Sequence, residues 1–342
     1  MNTIPPSATS PAAGAPSQAR PLLILFGLWA VMLVFPWVAP STYLVGLGVM
    51  FFINLVLIAS LNLIMGYCGQ ISLCHSGFFG LGAYVSGVLS VKYGLSALIG
   101  IPCAMALTAL AALLVGLPAL RLRGHYLAMA TLGFNAILSV LFVELVDFTG
   151  GPNGLTGVEP ISVGGFALDS DMRFFYLAWA VGLIVMWGIL NLTRSRIGRA
   201  MNSLAGSEIG AASLGVNTQW LKTAIFVMSA TLAALAGALY VHFTQFASPE
   251  TFSFFASVLM VVMVAVGGWG KYWGPLFGAL IFTVVPEMLQ AFHDLELFSF
   301  GLGMIVVLIF FPSGIAGFLE RFGRRKAAAG IRAVMARRTA NG

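Results

Sequence analysis

Stretch after stretch of some twenty apolar residues, separated by short polar turns, runs through this 342-residue chain. In hydrocarbon every backbone N–H and C=O must find its partner within the segment, which restricts such a stretch to helix. With about twenty residues needed per crossing, the sequence predicts about ten spans. They cover 22–39, 43–65, 70–90, 95–119, 126–147, 174–193, 223–246, 252–270, 274–291 and 297–312. The third and ninth are rich in Gly and short of pure hydrophobes, which marks them as candidates for broken or re-entrant helices. Only 8% of residues are charged, against about a quarter in a soluble domain. No water-facing surface can be built from so few. The expected fold class is therefore all-α, a polytopic integral membrane protein.

The polar residues set the domain plan. Residues 1–21, rich in Pro, Ala and Ser, read as a disordered cytoplasmic tail, and 22–318 as the membrane domain. Residues 319–342 read as a basic cytoplasmic tail suited to anionic lipid. With the N-terminus in the cytoplasm, alternation places Arg121, Arg123, Arg194, Arg196, Arg199, Lys222, Lys271 and the C-terminal Arg/Lys cluster inside. Lys92 and Arg173 alone fall outside, while Asp147, Glu159, Asp169, Asp171, Glu250, Asp294 and Glu296 all do. That asymmetry is the positive-inside pattern, with both termini cytoplasmic. It also accounts for the excess of basic residues without nucleic acid as a partner. Cys68, Cys74 and Cys103 lack metal-ligand or disulfide spacing and read as small buried fillers.

One stretch breaks the apolar succession. Residues 194–222, RSRIGRAMNSLAGSEIGAASLGVNTQWLK, form a polar, small-residue island on the cytoplasmic side. Ser207 can cap a helix start and Glu208 then sits in the first turn, where negative charge is favoured. Glu208, Ala211 or Ala212, and Gly215 share one helical face, and Gly215 suits a left-handed terminus. The expectation is a short surface helix within 200–217 on which something outside the chain docks.

Polar groups inside spans are the other candidates, because hydrocarbon cannot satisfy them. The densest set is Asn54, Asn62, Gln70, Ser72, His75 and Ser76, followed by Gly77, Gly80 and Gly82. We take Asn62, Gln70, Ser72 and His75 as candidates for a translocation path; helix–helix adhesion through amides and close glycine contacts is the structural alternative. Glu287, beside Pro286, is read as the most deeply placed acid. The Gly-rich run 66–70 has a faint echo at 267–270, and interrupted helices in corresponding halves point to a transport site. The outer loop around TGGPNGLTG (149–157) reads as turn chemistry. No phosphate-cradling G-x-x-x-x-G-K-[ST], no H-E-x-x-H and no nucleophile elbow occur. His75 has no second ligand at i+3 or i+4, so no metal site is expected. A transport role remains.

Several strings together carry a family resemblance. GYCGQISLCHSGFFGLGAY (66–84), RLRGHYLAMATLGF (121–134), TGGPNGLTG, the island, SATLAALAGALY (229–240) and VGGWGKYWGPLFGA (266–279) resemble the permease subunits, of LivM type, of bacterial branched-chain amino acid ABC importers. The resemblance covers about residues 43–320 and implies two pseudo-repeated halves in the bacterial inner membrane. It implies as partners a second, LivH-like permease, two cytoplasmic ATPases that hold the ATP, and a periplasmic binding protein. No cofactor and no ATPase site are expected on this chain. It further implies that Arg199, Glu208, Ala211, Ala212 and Gly215 belong to the ATPase-coupling segment. Two departures from the family pattern stand out: Leu204-Ala205-Gly206-Ser207 replaces a usual Arg-Asp-Asn run, and Cys74 stands where Gly is usual. Branched-chain amino acids are the implied substrates. Urea, short amides and aromatic acids are the alternatives, and a stand-alone secondary transporter is the competing class.

Overall fold

A computed structural model describes residues 19–122, 124–163, 166–289, 301 and 314–318. Helices dominate: α1 (Ala19–Val38), α2 (Thr42–Asn62), α3 (His75–Tyr93), α4 (Ala97–Ala119), α5 (His125–Glu144) and α6 (Val146–Thr149). They continue with α7 (Asp171–Arg194), α8 (Arg196–Gly206), α9 (Glu208–Ser213), α10 (Thr218–Thr244), α11 (Phe254–Gly267) and α12 (Gly274–Leu289). The predicted spans one to nine correspond to α1, α2, α3, α4, α5, α7, α10, α11 and α12. The tenth and both tails lie outside the described residues. Five of these helices are long and apolar enough to cross a bilayer by themselves. At 14 residues α11 rises only about 21 Å, short of the roughly 30 Å hydrocarbon layer. The third span also differs from its prediction. Its helix begins at His75, with residues 69–74 in open backbone.

At the centre α2, α3 and α10 pack together, and α2 is buried along most of its length. The α3–α10 crossing is close because each helix offers a glycine to the other's backbone. A Cβ on Gly82 would strike the carbonyl of Ala234, and one on Gly237 would strike that of Phe79. Such small-residue contacts substitute for the hydrophobic drive that helices lose in lipid. On one flank Trp29 and Trp179 exchange indole N–H bonds to each other's carbonyls, at 3.2 and 3.0 Å, tying α1 to α7.

The outer loop is more than a turn. Gly150, Gly151, Gly154 and Gly157 all take positive φ, from 60 to 78°, which only glycine adopts without strain. They bring Leu155–Thr156 into antiparallel pairing with Phe246–Ala247 after α10. His242 then bridges from Ser86 Oγ (2.9 Å) to the Glu159 carbonyl (2.7 Å). Glu287, on α12, accepts the hydroxyl proton of Tyr43 from the first turn of α2, which places the acid level with that end of α2.

Candidate functional site: the broken spans and the hairpin beneath them

The Gly-rich echo has a spatial meaning. Past Asn62, α2 widens into a π-helical turn over Leu63–Tyr67 and then stops, with Gln70 N–H reaching back to the Ile64 carbonyl at 3.2 Å. The segment linking α11 to α12, residues 268–273, lies directly against it. Asn62 holds both sides: its Nδ2 donates to the Lys271 carbonyl (3.1 Å) and its Oδ1 accepts from Gly270 N–H (3.0 Å). Trp269 Nε1 donates to the Met65 carbonyl at 2.7 Å, and Tyr272 Oη reaches the Met186 carbonyl on α7 at 3.0 Å. Gly66 and Gly270 are in backbone contact, and neither tolerates a Cβ there. The end of α2 and the link between the short α11 and α12 thus satisfy each other's exposed backbone, as irregular chain in a membrane protein must.

A second polar layer lies at the very start of α3. His75 Nε2 is 3.2 Å from Ser60 Oγ and 3.1 Å from Ser229 Oγ, and Ser229 Oγ donates to the Ser60 carbonyl at 2.5 Å. Ser76 Oγ lies 2.6 Å from Ser257 Oγ, 2.9 Å from the Ser253 carbonyl and 3.1 Å from Asn135 Oδ1. These bonds join α2, α3, α5, α10 and α11 through a few small side chains.

The island folds as a hairpin of two helices where one was expected. Ser195 caps α8 by accepting from Ile197 and Gly198 N–H, and Ser207 caps α9 by accepting from Gly210 N–H at 3.1 Å. Gly215 has φ +83°, with its N–H on the Ala212 carbonyl and Val216 N–H on the Ala211 carbonyl. That pair of bonds is a Schellman end. The hairpin leans on the broken span through Ala205, which faces Gly69, and through the buried Met201 and Leu204.

The candidate residues divide accordingly. Of the path candidates, Asn62, Ser72 and His75 are buried and bonded within the chain, Ser72 against Cys74 Sγ at 3.4 Å. Gln70 is half-buried, with Nε2 3.5 Å from the Cys68 carbonyl. Of the coupling candidates, Ala211 is buried on α9, whereas Arg199, Ala212 and Gly215 are exposed. Glu208 turns inward: its Oε1 meets Lys222 Nζ at 2.5 Å, with Lys222 2% and Glu208 26% exposed. The side chains that project are Ile209 (73%), Leu214 (80%) and Trp220 (64%), which sequence spacing did not single out. A cavity of about 270 Å³ between α2, α11 and α12 was likewise not anticipated. Its walls are mostly aliphatic, and Asn54, Tyr240, Thr251 and Thr283 provide the polar points. No cluster able to hold a metal ion occurs among the described residues.

A multi-pass helical body, two spans interrupted and clasped at one end, and a capped hairpin beneath them define a membrane transport permease. The profile of the family described as "Branched-chain amino acid transport system / permease component" matches residues 43–310, and the chain belongs to that family. It is 30% identical over 322 residues to the high-affinity branched-chain amino acid transport system permease protein LivM of Salmonella typhimurium, covering 87% of this chain and 76% of that one. The corresponding LivM of Escherichia coli K12 matches to the same extent. LivH of Salmonella typhimurium is 33% identical over 143 residues, 41% of this chain and 46% of that one. No solved structure matches.

Proposed function

We infer that this chain is a membrane-embedded subunit of an ATP-driven importer for branched-chain amino acids, moving substrate but hydrolysing nothing itself. The observation that carries this reading is the family match over 43–310 together with a capped hairpin leaning on two clasped, broken spans. The chain is a permease component and not an enzyme. LivM and LivH relatives both match, which supports pairing with a second, LivH-like permease. ATP would then be bound by two cytoplasmic ATPases, and a periplasmic binding protein would deliver substrate near the outer loop. On this reading the protein lies in the bacterial inner membrane with both termini and the hairpin in the cytoplasm, in keeping with the distribution of Arg and Lys.

The mechanism follows from where the hairpin rests. ATPase closure would push on the surface offered by Ile209, Ala212 and Leu214, with Arg199 and Gly215 at its margins. Because Glu208 is locked to Lys222 on α10, and Ala205 bears on Gly69, that push reaches α10 and the π-turn of α2 together. The clasped ends are where the two broken spans can tilt without losing backbone bonds. The cavity behind them, aliphatic with a few polar points, suits a small amino acid with a branched apolar side chain. A permease named for ribose import in Escherichia coli also matches, at 24% identity, so the family scaffold leaves substrate choice open. The test is uptake into vesicles carrying the assembled subunits and the cognate binding protein, using labelled leucine, valine, urea and phenylalanine. ATP-dependent accumulation of leucine and valine is expected. Uptake by the purified chain alone, or uptake that follows an ion gradient, would refute the reading.

A further inference from the structure

Outside the site just described, the described residues carry an unexplained groove of about 510 Å³ where the end of α4 meets the start of α10. Its walls are Leu113 and Leu117 from α4 and Gln219, Trp220, Thr223 and Val227 from α10. The apolar members continue the surface that α4 turns outward, where Leu110, Leu113, Leu114 and Leu117 are all exposed. That is a place for an acyl chain, not for a soluble metabolite. The polar members gather at the other end. Gln219 lines the groove, yet its Nε2 is buried with no hydrogen-bond partner. The Thr223 hydroxyl is already spent on the Gln219 carbonyl at 2.9 Å. Asn217 Oδ1 accepts from Trp220 N–H at 3.1 Å, which fixes the amide and leaves its Nδ2 hydrogens as donors. None of the lining residues is acidic. Exposed Arg121 follows Leu117 by four positions, through the turn that closes α4. Trp220, 64% exposed, stands where an indole marks the boundary between hydrocarbon and headgroups.

A buried donor without an acceptor, an exposed cation four positions beyond one wall, no acidic lining residue and an apolar trough all ask for the same ligand. We propose that this groove binds one anionic phospholipid, with its phosphate taken by Gln219, Asn217 and Arg121 and one acyl chain laid along Leu113, Leu117 and Val227. The bound lipid abuts the base of the hairpin, since Asn217 and Trp220 open α10 immediately after α9 and its Gly215 terminus. No part of this rests on which solute the protein carries.

The test is quenching of Trp220 fluorescence by phospholipid brominated on its acyl chains, with the full chain assembled with its partner permease in vesicles. A Trp220→Phe variant isolates the signal of that indole. Brominated phosphatidylglycerol should quench at a mole fraction about fivefold below brominated phosphatidylcholine, the preference that one basic side chain confers near an anionic headgroup. Arg121→Gln, at an exposed position that leaves the core untouched, should erase most of that preference, and Gln219→Leu should weaken it. Equal quenching by the two lipids would reduce the groove to ordinary annular contact and overturn the proposal. So would absence of quenching by either lipid, which would mean that protein covers the groove in the assembly.

Discussion

Replacing Glu208 by Gln should destabilise the protein more than replacing its partner Lys222 by Met, although the two changes break the same bond. The ammonium is 2% exposed and the carboxylate 26%. In Glu208→Gln the cation stays buried with its counter-charge gone, and an uncompensated buried charge of this kind costs about 3 kcal/mol or more. In Lys222→Met the carboxylate, a quarter exposed, can turn further to water, and the loss falls toward the roughly 1 kcal/mol of a partly exposed pair. The double variant Glu208→Gln/Lys222→Met removes both charges, and most of the stability should return, since an ion pair replaced by neutral side chains is often close to neutral. Membrane proteins commonly unfold irreversibly, so the comparison is one of rank. Midpoints of heat inactivation in detergent, followed by size-exclusion of the fluorescent fusion, should fall in the order wild type, double variant, Lys222→Met, Glu208→Gln. Transport should separate from stability. The double variant has a folded but unanchored hairpin, and it should hydrolyse ATP in the assembled complex with little uptake. If Lys222→Met is as damaging as Glu208→Gln, or if the double variant is no better than Glu208→Gln, the pair does not anchor the hairpin as argued.

Other consequences are open to measurement. Asn62→Ala strands the Gly270 N–H and removes one of the two donors to the Lys271 carbonyl; it should cost about 1–3 kcal/mol and raise protease cleavage within residues 66–74. Gly237→Val drives side-chain atoms into the Phe79 backbone; it should cost about 3 kcal/mol or more, read as loss of monodisperse protein on size-exclusion. Leu214→Asp alters a side chain that is 80% exposed; heat stability should stay within about 0.5 kcal/mol of wild type, while ATP-dependent uptake collapses. Ala256→Trp should fill the cavity between α2, α11 and α12 and block uptake of labelled leucine without lowering the amount of protein in the membrane.

How much of this was legible beforehand depends on the range of the interaction. Nearly all the spans were readable because hydrocarbon imposes a length and a polarity on each one independently. Ser207 as cap and Gly215 as left-handed terminus were readable because both act within one helical turn. The break before His75 was legible only in part: glycines and polar residues marked the third span as a candidate for interruption, but the Thr131 hydroxyl on α5 that takes the Leu73 N–H stands 58 positions away. Asn62 could be flagged as polar in a span, but nothing local told that its partners are Gly270 and Lys271. Glu208 was expected on a docking face because it shares a helical side with Ala211 or Ala212 and Gly215; the lysine that turns it inward stands fourteen positions away across a helix end. The projecting Ile209 and Leu214 were hidden by a habit of thought, since apolar side chains are sought in cores and not on docking faces.

The clasp at Asn62 has a consequence in time. Its two backbone partners are made 208 and 209 residues later, which at a usual synthesis rate means about 10–40 s. Through that interval a primary amide already delivered to the membrane has neither acceptor nor donor from its eventual mate. The front half of the protein must therefore wait, half-finished, for the back half. Nascent chains arrested before residue 270 are expected to be nicked around Asn62 to Cys74 far faster than released ones. Equal rates would mean that the early spans close without their late companion.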